Sequence, residues 1–197
     1  MKKTKLKTGI IILAAGSSSR LGQPKQLIQF KGKCLLQNAI EAAQRSKSDH
    51  LVVVLGFNPE LIKTGFDSGT VPYVVNNNWS NGMASSIQTG LNFLLSKGEL
   101  DQVVLMLCDQ PHVTSSLIDQ LIEKKEESKK GIIASYYSGT LGVPALFEKK
   151  YFPKLFELEG AEGARKIIAQ NPEDLAPIQF SLGEIDVDTA EDLEKLK

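Results

Sequence analysis

Two cysteines, two histidines and a single tryptophan in 197 residues leave several chemistries short of parts. Cys34 and Cys108 stand far apart and outside any C-x-x-C pattern. That argues against a disulfide framework and leaves a thiolate zinc site short of ligands. His50 and His112 are isolated, and neither has a serine or cysteine partner in a recognisable nucleophile motif. An excess of one charge is absent as well: 23 Lys and Arg balance 23 Asp and Glu. The chain therefore lacks the long-range field of a nonspecific nucleic-acid binder or a membrane-surface protein. No apolar run approaches the ~18 residues of a membrane-spanning helix. The basic start "MKKTKLKT" precedes an apolar segment that runs straight into Gly and Ser. It reads as a solvated tail, not as a signal peptide. These absences predict a cytoplasmic protein with neither nucleic-acid nor membrane partners.

What is present is an alternation. "GIIIL" (9–13), "HLVVVLG" (50–56), "VPYVVN" (71–76) and "QVVLMLC" (102–108) read as buried strands. The last is apolar on both faces, as a central parallel strand is. Between them, apolar residues recur at helical spacing: Leu35, Leu36, Ala39, Ile40, Ala42 and Ala43, then Met83, Ile87, Leu91, Leu94 and Leu95. Leu117, Ile118, Leu121 and Ile122 mark a further helix, with Ser116 and Asp119 as its capping pair. Strand–helix alternation predicts a three-layer α/β/α, Rossmann-like fold with a mostly parallel sheet. After about Gly131 the rhythm changes, and "GIIASYYSGTLGVPALF" predicts an antiparallel excursion. "GAEGARKIIAQ" reads as turn and helix, and "APIQFSLGEIDVDTAEDLEKL" as strand, strand, closing helix. The expected organisation is one domain over 1–197, with a nucleotide-binding part (1–130) and an acceptor-binding, closing part (131–197).

The loop after the first strand, "LAAGSSSRLGQPK" (13–25), is built of small residues with Arg20 and Lys25 just beyond. In open α/β sheets, ligands sit outside the carboxyl ends of the strands. A Gly- and Ser-rich turn there lets an anion approach the main-chain N–H groups. The loop is not a Walker A sequence, because Gly16 and Gly22 enclose five residues and Gln23 follows. It is not a dinucleotide fingerprint either, since G-x-G-x-x-G is absent.

"LAAGSSSRLGQPKQL" resembles the L-A-A-G-x-S-x-R-x-G-x-x-K signature of Rossmann-like, GT-A type nucleotidyltransferases. More narrowly, it is similar to the molybdenum cofactor cytidylyltransferase family. "NGMASSIQTGL" (81–91), "CDQP" (108–111), "GTLGVPALF" (139–147), "GAEGAR" (160–165) and "DVDTAED" (186–192) resemble that family's further motifs, in order. Leu141 stands where the family often has Arg, and Ala161 where it has an acid. The resemblance implies transfer of CMP from CTP to the phosphate of a molybdopterin-type cofactor, with pyrophosphate leaving and Mg2+ as cofactor. It also implies a hydroxylase-type molybdoenzyme as partner. GTP as donor, methylerythritol phosphate or a sugar phosphate as acceptor, and a non-catalytic maturation chaperone stand as alternatives.

Residue by residue, the resemblance implies a nucleotide site of Leu13, Ala14, Ala15, Gly16, Ser17, Ser18, Arg20, Lys25, Gly82, Met83, Ser86 and Asp109. Lys25, Arg20 and Asp109 are its catalytic group, the two cations offsetting phosphate charge. Gln110, Pro111, Gly142, Pro144, Gly163 and Arg165 are implied to face the acceptor. Asp109 is expected at the end of a strand, where magnesium bound to phosphates needs a carboxylate. In "EIDVDT", strand alternation puts Asp186 and Asp188 on one face, and Asp188, with Asp186 as the alternative, is the expected second metal ligand. Thr189 and Asp192 form a capping pair for the last helix. Asn81 or Ser80 is available to cap the helix that begins near Met83.

Overall fold

A computed structural model of the chain describes residues 6–19, 21–187 and 192. Its strands are β1 (Thr8–Ala14), β2 (Gln29–Phe30), β3 (Lys33–Cys34), β4 (His50–Leu55), β5 (Tyr73–Val75), β6 (Gln102–Leu107), β7 (Ile132–Tyr137), β8 (Thr140–Glu148) and β9 (Leu175–Gln179). The helices are α1 (Leu35–Gln44), α2 (Pro59–Ile62), α3 (Met83–Ser96), α4 (Ser115–Ser128), α5 (Phe152–Phe156) and α6 (Ala164–Gln170). Seven strands form one sheet in the order β5-β4-β1-β6-β8-β7-β9, and β2 and β3 make a separate ribbon. β1 pairs in parallel with β4 and β6, β4 with β5, and β7 with β9. Among the described strands of this sheet, only β8 runs the other way, against both β6 and β7. The α/β fold with its antiparallel excursion is as the sequence predicted.

Alternate residues of the central strands feed two cores. Ile10, Ile12, Val53, Leu55, Val104 and Met106 pack against Leu36 and Ile40 of α1 and Ile118 and Leu121 of α4. Ile11, Leu13, Val52, Val54, Val103 and Leu105 face Ile87 and Leu91 of α3, Leu155 of α5 and Ile167 of α6. The period of two along each strand thus separates the two helical layers. Gly90 brings α3 close: a Cβ there would lie 2.7 Å from Ile11 Cγ2 and 2.8 Å from Val54 Cγ2.

Four local expectations change. α4 starts at Ser115, so Thr114 caps it and accepts from Leu117 N–H at 3.2 Å, while Ser116 lies inside the first turn. Neither Asn81 nor Ser80 caps α3. Both sit in a short 3₁₀ turn, and Gly82 at φ 101° leads into the helix. The Gly160 carbonyl takes the Ala84 N–H instead, at 3.2 Å. Met83 is 41% exposed, not part of the buried face. Residues 185–187 form no strand: Ile185 N–H turns back to Leu182 O, and Val187 N–H donates to Asp109 O at 3.2 Å. Asp188 and Thr189 lie outside the described residues, so neither their strand face nor their cap is described.

Candidate active site

Both β1 and β6 are parallel and central, so the residues that follow them open on the same edge of the sheet. There Lys25 and Asp109 form an ion pair, Nζ to Oδ2, across 84 positions of sequence. Their side chains are only 19% and 7% exposed. The Lys25 backbone N–H donates to Ser18 Oγ at 3.0 Å, and Ser18 itself adopts φ 55°. Pro24 precedes Lys25 at φ −62°, the angle its ring imposes. The other carboxyl oxygen, Asp109 Oδ1, is buried without a hydrogen-bond partner. An acceptor atom with unused lone pairs beside an ammonium is poised for a cation or a donor on a ligand.

A cavity of about 320 Å³ surrounds this pair. Of the residues that the motifs mark for a nucleotide, Leu13, Ala15, Gly16, Ser17, Lys25, Gly82, Met83, Ser86 and Asp109 line it. Ala14 and Ser18 stand behind it, their oxygens bonded to Gln26 and Lys25. Arg20 lies outside the described residues. Ser86 is buried, and its Oγ accepts from Asn76 Nδ2 at 3.0 Å, which ties the start of α3 to the end of β5. Trp79, which the motifs did not mark, also lines the cavity. It packs edge-on to Phe57 with ring centroids 5.4 Å apart. Its signal in the sequence was a lone Trp three residues before "GM".

A second cavity of about 560 Å³ adjoins the first, sharing Leu13, Met83 and Leu107. Gln110, Gly163 and Arg165 line it. Gly142, Pro144 and Pro111 do not. Gly142 sits behind, where a Cβ would lie 2.3 Å from the Tyr137 hydroxyl, so its bareness admits that ring. The Pro144 carbonyl accepts from Ser135 Oγ at 2.7 Å, and Pro111 lies on the loop leading to α4. The sequence reading missed Tyr137, Ser138, Thr140 and Glu184, which belong to the β7–β8 turn and the segment after β9. Arg165 reaches the Tyr137 hydroxyl at 3.3 Å, and Glu184 and Asp186 add acid to the lining of the same cavity. Asp186 was paired with Asp188 by alternation; here it is exposed at this second cavity.

Cys108, next to Asp109, is buried, and burial together with that carboxylate pushes its thiol pKa far up. It is a packing residue, not a nucleophile. His112 packs edge-on to Phe30 at 5.5 Å, and burial, aided by Lys31, lowers its pKa. Among the described residues no cluster of three or more His, Cys, Asp or Glu is arranged to hold a metal, and no helix is long and apolar enough to cross a membrane.

A Ser/Gly loop and a largely buried Lys–Asp pair thus sit together at the end of a parallel sheet. Residues 10–175 match the MobA-like NTP transferase domain. The chain belongs to that family. Among curated relatives of this NTP transferase is a Paenarthrobacter nicotinovorans protein named nicotine blue oxidoreductase, 28% identical with 94% of both chains covered. The purine catabolism protein PucB of Bacillus subtilis is 28% identical, over 80% of this chain and 78% of its own. A probable molybdenum cofactor guanylyltransferase of Bacillus mycoides is 22% identical, over 75% and 72%. Among solved structures, the Mycobacterium sp. strain JC1 homologue of M. tuberculosis Rv0371c superposes with a TM-score of 0.81 at 28% identity, covering 96% and 94%. Rv0371C in complex with manganese superposes with a TM-score of 0.78 at 24% identity, covering 96% and 97%.

Proposed function

We propose that this NTP transferase moves CMP from CTP to the phosphate of a molybdopterin-type cofactor and releases pyrophosphate. The observation that carries the reading is the meeting of two cavities at one edge, with Lys25 and Asp109 at the smaller. A triphosphate in the smaller cavity and an acceptor in the larger would bring the α-phosphorus and the acceptor phosphate together where the cavities join. An acceptor phosphate oxygen then forms a bond to the α-phosphorus. The bond from that phosphorus to the β-bridging oxygen breaks, and pyrophosphate leaves with the oxygen. Such transfer is mostly positioning and charge neutralisation. The Gly16–Ser18 backbone approaches the phosphates, and Lys25 and Arg20 offset their charge. Ser86, through its bond from Asn76, fixes the start of α3, so that Gly82 and Met83 border the nucleoside. Gln110, Gly163 and Arg165 contact the acceptor, with Gly142, Pro144 and Pro111 shaping the wall behind them.

The residues also fit a metal. Asp109 offers the unpartnered oxygen, and its main chain is bonded to Val187, next to Asp188 in sequence. These two carboxylates would hold Mg2+, which takes one or two protein carboxylates and keeps several waters. When bound it would neutralise charge on the triphosphate and the leaving pyrophosphate. The manganese in Rv0371C, a protein of the same fold, supports a divalent ion here.

Two features support CTP and a triphosphate ligand. Ala15 places a methyl on the smaller cavity, where the resemblance implies glycine in guanylyl-transferring members, and so favours the smaller base. No G-x-G-x-x-G follows β1, and no acid ends β4 to grip a dinucleotide ribose. A hydroxylase-type molybdoenzyme is the proposed recipient of the product. The test is turnover of the four ribonucleoside triphosphates against molybdopterin, methylerythritol phosphate and sugar phosphates, with product mass measured. CTP with molybdopterin is expected to dominate. Equal or better turnover with GTP overturns the base assignment, and no pyrophosphate with any pair favours a cofactor-carrying chaperone.

A further inference from the structure

Four consecutive carbonyls at the end of β1 are turned into the protein. Leu13 O accepts from Cys108 N–H at 3.3 Å, and Ala15 O accepts from Phe57 N–H at 3.1 Å. The two between and beyond them go to one side chain: Gln26 Nε2 donates to Ala14 O at 2.8 Å and to Gly16 O at 3.0 Å. Both hydrogens of that amide are thereby used. Gln26 is only 1% exposed, and its Oε1 is buried without a partner. Because both neighbours are carbonyl oxygens, the amide cannot be flipped without setting oxygen against oxygen. An orphaned buried acceptor is costly and is retained where something else requires the group. Among the described residues, no protein acceptor takes the N–H of Gly16, Ser17 or Ser18.

We infer that Gln26 is the positioning residue of the phosphate cradle: it holds the Ala14 and Gly16 carbonyls inward so that the following N–H groups stay available to a triphosphate. The inference rests on reading the smaller cavity as a triphosphate site, and it names a residue outside the Lys25–Asp109 pair. Gln26 touches no substrate. It acts through the loop, together with the Lys25 N–H that anchors Ser18 Oγ on the next residue pair. Without it, the two carbonyls are free to rotate toward the cavity, and carbonyl oxygens repel phosphate.

Gln26→Met keeps the side chain's length and approximate volume while removing both donors, so the core around it remains filled. The reporting measurement is binding of inorganic tripolyphosphate with magnesium, which needs neither base nor acceptor. The variant should bind it at least about tenfold more weakly than the parent. Its kcat/KM for the nucleotide should fall roughly 10²-fold, as for misplaced binding groups, with KM for the acceptor unchanged. A merely structural role would lower the melting temperature and the active fraction without this split. Should Gln26→Met fail to fold, Gln26→Glu serves: its acid form keeps one O–H donor, so its affinity relative to the parent should recover as pH is lowered. Unchanged tripolyphosphate binding in Gln26→Met, a pH-independent ratio in Gln26→Glu, or a parent that binds no tripolyphosphate overturns the inference. Weakened binding in the variant, with no turnover of any donor and acceptor by the parent, would leave the inference standing and remove the proposed reaction.

Discussion

Removing Lys25 perturbs two things at once, and a double-mutant cycle separates them. An open strand-end loop alone would suggest that Lys25→Ala harms only catalysis. The structure adds a stability term, because Lys25 is the ion partner of an Asp109 carboxylate that is 7% exposed and has its other oxygen unpartnered. Truncating one member of a buried pair leaves an uncompensated charge and costs about 3–5 kcal/mol. For a chain of this size that lowers the melting temperature by about 6–20 °C, at ~2–4 °C per kcal/mol. Asp109→Asn should cost less, because the Lys25 side chain it abandons is 19% exposed and retains access to water. The double variant removes both charges, so it should melt well above Lys25→Ala. Activity should not follow stability. Each single variant and the double should lose roughly 10²–10³-fold in turnover, the usual loss when one preorganised charge partner is removed. Thermal melts and pyrophosphate release on the same preparations give both readings. If the double variant is as unstable as the sum of the singles, the pair is not coupled. If Lys25→Ala is folded and nearly as active as the parent, the site is wrongly placed.

Three smaller tests accompany it. Gly82→Ala should lose most activity and lower the melting temperature, because Gly82 has φ +101° and a Cβ there would lie 2.2 Å from Gly160 O; an unchanged melt would refute the close approach. Ala15→Gly should narrow the proposed preference for CTP over GTP in direct competition, and an unaltered ratio would show that the methyl does not gauge the base. Asp174 is pushed up by burial, but hydrogen bonds from Lys150, Tyr151 and Gly131 outweigh this and hold its pKa at about 2. A depressed carboxylate stabilises above its unfolded pKa and loses that stability as pH falls through the folded value. The parent should therefore lose roughly 1–2 kcal/mol between about pH 4 and pH 2 that Asp174→Asn does not, allowing for solvent screening; parallel acid melts would refute it.

Legibility followed the range of the forces involved. β1, β4 and β6 lie buried on both faces, so their apolar runs survive in any context and were readable directly. Most residues of the smaller cavity were marked by motifs, because Leu13 to Ser17, Gly82, Met83, Ser86 and Asp109 sit close to a strand end or a helix start; Trp79 and its packing on Phe57 were not. What failed depended on distant partners. The cap of α3 is Gly160 O, nearly eighty residues away, and no local pattern announces it. "EIDVDT" alternates like a strand, yet over its described residues 184–187 no ladder forms, and Val187 N–H donates to Asp109 O. No local pattern marks Gln26 in "QPKQL", because its partners are two carbonyls ten and twelve positions back.

The larger cavity depends on the one reversed strand. β6 ends at the site, and a further parallel neighbour would end there too, offering only one more strand-end loop. β8 instead begins at that edge: its register sets Leu105 opposite Ala145, and Val143 and Leu107 beyond that pair both line the larger cavity. The turn from β7 into β8 therefore stands over the cleft, and with it Tyr137, Ser138 and Thr140. Arg165, in the first turn of α6, reaches that same Tyr137 hydroxyl. The helix whose preceding loop caps α3 through Gly160 thus also supplies the cation of the larger cavity. One connection joins the wall of the smaller cavity to the charge of the larger. A change in the length of the 157–163 loop should accordingly disturb both substrates together, whereas changes in the β7–β8 turn should touch the acceptor alone.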